Sequence, residues 1–399
     1  MHRLLPLISA LLWLLPSVVI AAEPDITGYA GFEYRYFEQQ GPRPALPQHN
    51  LSLSGEVAFY QPLDNGRDSV RATFFGRVDE NDDERSHADI RELKWHKVTR
   101  DWELTLGIDQ VFWGVTETVH LVNIINQTDL VESPDGEEFL GQPMAKLSVI
   151  RDWGYLDLFV LPGFRERTFA GEDGRPGSAF RVSNTDAIYD ASGEESHVDF
   201  ALRWSDSIDA WDLGLSYFYG TSREPRFSAK AVQLDDSGLL EFVPIYDLIH
   251  QTGLDVQGTF DAWLWKLETI YRSGWGADFV AGAAGFEYTL FDLGESGIDI
   301  GVISEYLFDE RDEWVITDND LSLGMRLTLN DINSTEFLAA FVQDLGRDSN
   351  YYYIEASRRV GNAFTVSLEA RGVGSADRND LLRLYEPDDF IQLELNYFF

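Results

Sequence analysis

The chain ends Ile391-Gln392-Leu393-Glu394-Leu395-Asn396-Tyr397-Phe398-Phe399, and the reading of this stretch decides the fold. Ile391, Leu393, Leu395, Tyr397 and Phe399 alternate with Gln392, Glu394 and Asn396. A period of two puts the two sets on opposite faces of a β-strand. One apolar face closing on aromatic residues suits a strand whose side meets lipid and whose end reaches the membrane interface. A strand of a soluble sandwich can share the pattern, so the rest of the chain has to discriminate.

The other end does so. Met1-His2-Arg3 is a short basic start, Leu4 to Ile20 is almost continuously apolar, and Ala21-Ala22 precedes a polar sequence. Residues 1–22 therefore read as a secretory signal peptide. The short length, Pro6, Pro16 and the small residues at the end argue against a retained anchor. No later run approaches the roughly eighteen apolar residues of a helical span. Yet aromatics make up 14% of the chain, high for a soluble acidic protein. A barrel resolves this, because each strand shows only half its residues to lipid. Cys is absent, so neither disulfides nor thiolate metal sites are available. The formal net charge of -37 argues against a nucleic-acid partner, which needs a basic face. It fits acidic outer loops, kept soluble during export or holding divalent cations, and a pore that favours cations.

Residues 23–399 read as a single all-β domain, a transmembrane antiparallel up-and-down β-barrel. The strand count is about eighteen, with sixteen as the alternative. The first hairpin is Thr27–Phe37 with Leu51–Tyr60, and the last is Phe364–Val373 with the terminal strand. Leu321, Leu323, Met325, Leu327 and Leu329 oppose Ser322, Gly324, Arg326, Thr328 and Asn330, and Trp211–Tyr219 repeats the pattern. Ile90–Trp95 and Ile298–Leu307 are mixed, pointing to bulges or inner packing. Connections alternate in length. Val98–Asp101, Asp206–Ala210 and Asp261–Ala262 are short, whereas Phe164–His197, Ser222–Leu248 and Gly374–Asp389 are long loops. A barrel with periplasmic turns and outer loops sorts connections this way, and a sandwich has no reason to.

One connection, residues 110–142, is apolar in its first half, with Trp, Glu, His and Asn embedded. Exposed, it would leave apolar surface in water. It is expected to fold into the lumen as a constriction or plug, with Val119, Leu121, Val122 and Ile125 suiting a short helix or turn. Its candidate constriction residues are Trp113, Glu117, His120, Asn123, Asn126, Gln127 and Asp129. Candidate lumen-lining residues on the inner faces are Arg35, Arg71, Arg77, Arg203, Asp255, Arg326, Glu369 and Arg371. Others on those faces are Glu33, Glu56, Glu268, Arg272 and Glu394. Lipid penalises such charges, and a wet lumen accepts them.

Trp113-Gly114-Val115-Thr116-Glu117, with Asn126-Gln127-x-Asp129 and Leu161-Pro162-Gly163-Phe164-Arg165-Glu166-Arg167, resembles segments of porin-like outer-membrane barrels with a Trp-Gly-x-x-Glu stretch in an inward-folded segment. The strand ending at Phe399 is similar to the C-terminal signal read by the barrel-assembly machinery. The resemblance implies an outer-membrane channel or export component of a Gram-negative envelope, in contact with lipid and lipopolysaccharide. It also implies a periplasmic or inner-membrane transport partner. The alternative roles are a lipid-transport barrel and a structural or adhesive barrel. A hydrolase would need convergence of Ser196, His197 and Asp199, but neighbours on a strand face opposite ways. No H-E-x-x-H or G-x-S-x-G signature is present, so no enzyme activity, metal or cofactor is expected.

Overall fold

The computed structural model describes residues 23–42, 46–63, 66–177, 179–234 and 240–399. Residues 1–22, read from the sequence as a signal peptide, lie outside the described residues. In chain order the strands are β1 (Asp25–Phe37), β2 (His49–Leu63), β3 (Asp68–Asp79), β4 (Ala88–Val98), β5 (Trp102–Asp109), β6 (Gln142–Arg151) and β7 (Gly154–Pro162). Two short strands follow, β8 (Arg181–Val182) and β9 (Ile188–Tyr189), then β10 (Val198–Ile208) and β11 (Trp211–Thr221). Next come β12 (Arg226–Leu234), β13 (Leu240–Tyr246), β14 (Leu248–Phe260), β15 (Trp263–Ser273), β16 (Phe279–Leu290) and β17 (Asp299–Asp309). The last are β18 (Asn319–Thr328), β19 (Glu336–Asp344), β20 (Asn350–Val360), β21 (Phe364–Ser375) and β22 (Phe390–Phe398).

Eighteen of these form one closed antiparallel barrel, and β1 pairs with both β2 and β22. Closure runs from Tyr29 opposite Phe398 to Phe37 opposite Phe390. Phe399 continues it by exchanging backbone hydrogen bonds with Gly28 at 3.0 and 3.1 Å. No edge is left in the wall, as a membrane demands of a sheet. Ile391, Leu393, Leu395 and Tyr397 all face outward, while Phe390 and Gln392 are buried on the lumen side. At the short-turn rim, Trp211 packs on Phe260 and Trp263 on Trp265 and Tyr288. At the other rim, the outward tyrosines meet polar partners, Tyr217 with His250 at 2.7 Å and Tyr271 with Asp278 at 2.9 Å. Aromatic residues thus stand on the outer face near both ends of the barrel. The turns at Asp209 and Asp261 are tight, with both residues in the left-handed region (φ 54° and 51°), which Asp tolerates.

The two mixed strands have different causes. In β4 a bulge at Arg91 shifts the register against β3 between Thr73 and Phe74. The extra residue turns Arg91 inward over the Phe75 ring, where it meets Glu138 at 2.7 Å. Strand β17 pairs regularly, and its inward Ile303 and Leu307 join an apolar patch with Ala283, Leu338 and Val342.

Two of the connections expected as long loops contain strands of their own. Within them β12 and β13 form a hairpin, and β13 also runs parallel to β8 and β9, making a small sheet at the long-loop end. That sheet stands apart from the barrel wall, so the alternation of the wall strands does not mark it.

Candidate functional site

Residues 110–141 leave β5, cross the lumen and return to β6 without a helix. An irregular chain inside a barrel must find acceptors for its amides. The wall supplies them as carboxylates. Glu268 of β15, fully buried, accepts from Val115 N (2.7 Å), Thr116 N (3.0 Å), Thr116 Oγ1 (2.8 Å) and Val122 N (3.1 Å). Glu305 of β17 accepts from Glu117 N (2.7 Å) and Thr118 N (2.8 Å), and Thr118 Oγ1 lies 3.0 Å from Ser322 Oγ of β18. Since β18 is half-way round the barrel from β5, the segment spans the lumen. Gly114 permits this approach. Its φ is +149°, and a Cβ there would sit 3.1 Å from Glu268 Oε1 and 3.2 Å from His120 Nδ1.

Packing fixes the rest. Trp113, Val122, Ile124 and Ile125 are buried against the inward side chains Met144, Phe159, Leu161, Phe218 and Ile249. Val119 and Leu121 touch the patch around Ile303 and Leu338. The apolar first half thus removes its surface from water by covering an apolar stretch of inner wall.

The seven constriction candidates separate into three groups. Glu117 and His120 line the remaining cavity. Glu117 pairs with Arg326 at 2.7 Å and Lys266 at 3.4 Å. Against the burial that would raise it, these two cations hold its carboxyl below the usual range. His120 packs edge-on to Phe112, with Nε2 3.6 Å from Glu137. Burial opposes its charge, yet Glu137, with Glu268 and Glu117 behind it, holds the ring above the ordinary His value.

Asn123 and Asn126 touch the cavity but spend their amides on the backbone. Asn123 accepts from Trp113 N, while Asn126 accepts from Val111 N and donates to Asp109 O and Leu140 O, clasping the base of the segment. Trp113, Gln127 and Asp129 are corrections to the sequence reading, since they lie buried away from the cavity. Trp113 sits under Arg203, Gln127 donates to Arg165 O, and Asp129 accepts from Thr168 Oγ1 at 2.8 Å. Each fastens the segment to a neighbour.

The lumen-lining candidates divide similarly. Arg326, Glu369 and Arg371 border the cavity. Arg371 is shared by Asp135 (2.7 Å), Glu355 (3.0 Å) and Glu369 (2.5 Å). Arg203 and Asp255 form a two-bond pair at 2.7 and 2.8 Å, and Arg71 pairs with Glu92 at 2.9 Å. Arg35 and Arg77 belong to a buried network. There Glu33 meets Arg77 at 3.0 Å and Arg85 at 2.7 Å, and Arg77 reaches Glu132 of the segment at 2.9 Å. That side of the lumen is filled.

What remains open is a cavity of about 850 Å³ between the segment and the wall from β15 to β22. At its long-loop end stand Arg167, Arg223, Glu224, Arg272 and Arg311. Glu224 pairs with Arg272 at 2.9 Å and Arg311 at 2.8 Å. Although burial pushes its carboxyl up, Arg311, Arg272 and Arg167 bring it down to about 2. Sequence reasoning missed this cluster, because Glu224 and Arg311 lie in loops that carry no face pattern. The suggested hydrolytic set does not converge: Ser196 is exposed on a short turn, while His197 Nδ1 meets Asp199 at 2.7 Å.

No family model matches the chain, and no curated protein matches it. Among solved structures, one engineered variant of the Rhodopseudomonas blastica porin aligns with 94% of this chain and 100% of its own, at 14% identity and a TM-score of 0.45. A second variant covers the same shares at 13% and 0.44. A structure described as showing asymmetric conductivity of engineered proteins aligns at 14% and 0.45, with the same coverage. The fold of this chain rests on its own strand pairing.

Proposed function

We propose that this barrel is an outer-membrane channel of a Gram-negative envelope for small polar or charged solutes, with residues 110–142 as its constriction. The observation that carries the reading is the segment itself. It crosses to Glu268 and Glu305 and stops short of filling the lumen, leaving about 850 Å³ beside it. Charged groups border that space, as solute pores require. A wall sealed through β1 and β22 fits passage along the axis better than a lateral lipid route. A preference for small cations is part of the proposal. Three carboxylates share Arg371 where the segment meets the wall, and Glu137 adds a fourth acid nearby.

Planar-bilayer recording of the purified protein tests this. Steady unitary currents are expected, with a reversal potential displaced toward the cation side in a KCl gradient. Deletion of residues 115–138 should enlarge the conductance. Silence of both proteins would overturn the channel reading, and an anion-side potential would overturn the preference.

A further inference from the structure

The long-loop end of the cavity carries a charge pattern opposite to the rest of this acidic chain. Four guanidinium groups, Arg167, Arg223, Arg272 and Arg311, face the same cavity. Three carboxylates accompany them. Glu224 is shared by Arg272 and Arg311, Asp309 meets Arg311 at 2.6 Å, and Asp199 meets Arg223 at 2.6 Å. Among these seven groups one positive charge is left over; Asp388, paired with Arg175, and Asp389 stand beside Leu382 and Tyr385 in the same cavity.

Two of the arginines also hold unused donors. Arg223 is 3% exposed, and its Nε and Nη1 are taken by Ile125 O, Asp199 and Thr221 O, but its Nη2 has no hydrogen-bond partner. Arg167 makes no ion pair within 4 Å among the described residues, with Glu224 acting on it only from farther off, and its Nε makes one long contact of 3.4 Å with Gln127. A buried donor without an acceptor is costly, and so, to a lesser degree, is a half-buried guanidinium whose counter-charge lies at a distance. An arriving oxyanion would remove both costs.

The surroundings restrict what that anion can be. Aromatic rings cover guanidinium faces, Phe164 and Phe218 at Arg223 and Trp275 at Arg311, so recognition is left to the N–H edges. Ile124, Ile270, Leu382 and Tyr385 supply apolar lining in the same cavity. Further along stand Asp135, Glu137, Glu355 and Glu369, which repel a second negative charge. We infer that this end of the lumen is a binding subsite for a monocarboxylate with an apolar body, its carboxylate held by Arg167 and Arg223. The inference deepens the channel reading and relies on it only for the solute's route in.

Calorimetry on the full-length protein in detergent tests the site without requiring conductance. The probes are phenylacetate, 2-phenylethanol (the same body without charge) and inorganic phosphate (charge without the body). Phenylacetate should bind at least tenfold tighter than either. Arg167→Gln should weaken it tenfold or more, and Arg167→Lys should restore part of the loss, with folding of each variant verified by its heat-modifiable gel mobility. Equal binding by Arg167→Gln, or no phenylacetate binding by wild type, overturns the site. Phosphate binding as tightly as phenylacetate overturns the apolar carboxylate in favour of a general oxyanion. Binding by a protein that passes no current supports the site and removes the channel, whereas current without binding does the reverse.

Discussion

Replacing Glu268 should release the tip of the segment while leaving the wall intact. The carboxylate accepts three hydrogen bonds at Oε1 and one at Oε2. Bonds to a charged acceptor each contribute about 1.5–3 kcal/mol, and water from the adjoining cavity can re-satisfy part of what is lost. Glu268→Ala should therefore weaken docking of the tip by on the order of 4–6 kcal/mol. Glu268→Gln should cost less, about 2–3 kcal/mol, because one amide oxygen still serves Val115 and Thr116 while its NH₂ opposes the Val122 N–H. Neither change touches the strand ladder, so both barrels should fold with wild-type heat-modifiable mobility. The assay is unitary current at fixed voltage. Mean conductance and open-channel noise should rise in the order wild type, Glu268→Gln, Glu268→Ala. A folded Glu268→Ala protein with wild-type conductance and noise would refute the idea that this carboxylate holds the constriction.

Three further outcomes follow from the same geometry. Glu117→Gln leaves Arg326 and Lys266 without their shared carboxylate, so the reversal potential in a KCl gradient should move toward the anion side. Gly114→Ala forces a Cβ into the Glu268 and His120 contacts at positive φ, and should weaken docking by about 1–3 kcal/mol, seen as faster proteolysis within residues 114–122. The His120 pKa is raised when the segment is docked, so its contribution is complete below the ordinary value near 6.5 and is lost as pH rises through the raised value. Open-channel noise should accordingly increase on going from pH 5.5 to 8.5, and His120→Asn should abolish that dependence.

The wall was legible because a closed barrel with an apolar outer face and a polar inner one imposes a pattern on it. Leu321 to Leu329 and Ile391 to Tyr397 alternate for that reason, the count of eighteen holds, and the first and last hairpins occur as β1–β2 and β21–β22 within a few residues of the expected ends. The inward course of residues 110–141 was legible from apolar residues that could not face water. Its inner organisation was not. Asn123, Asn126, Gln127 and Asp129 resembled lining residues, yet an irregular chain in an enclosed lumen spends such groups on its own backbone and its neighbours. Glu268 and Glu305 look like any other inward acid until the amides that meet them are placed. The small sheet of β12 and β13 carried no signal, since it stands apart from the barrel wall and shares none of its two-faced alternation.

The central claim is that the segment crosses the lumen and rests on the far wall. A disulfide between Thr118→Cys and Ser322→Cys tests it most directly, because the wild-type oxygens lie 3.0 Å apart and the chain has no cysteine of its own. Oxidation of the double variant in intact outer membranes should give near-complete intramolecular cross-linking, read as a shift in non-reducing gel mobility, with unitary conductance close to that of the reduced form. Thiols that stay free under oxidant in a folded barrel, or a cross-link that markedly changes the conductance, would contradict it.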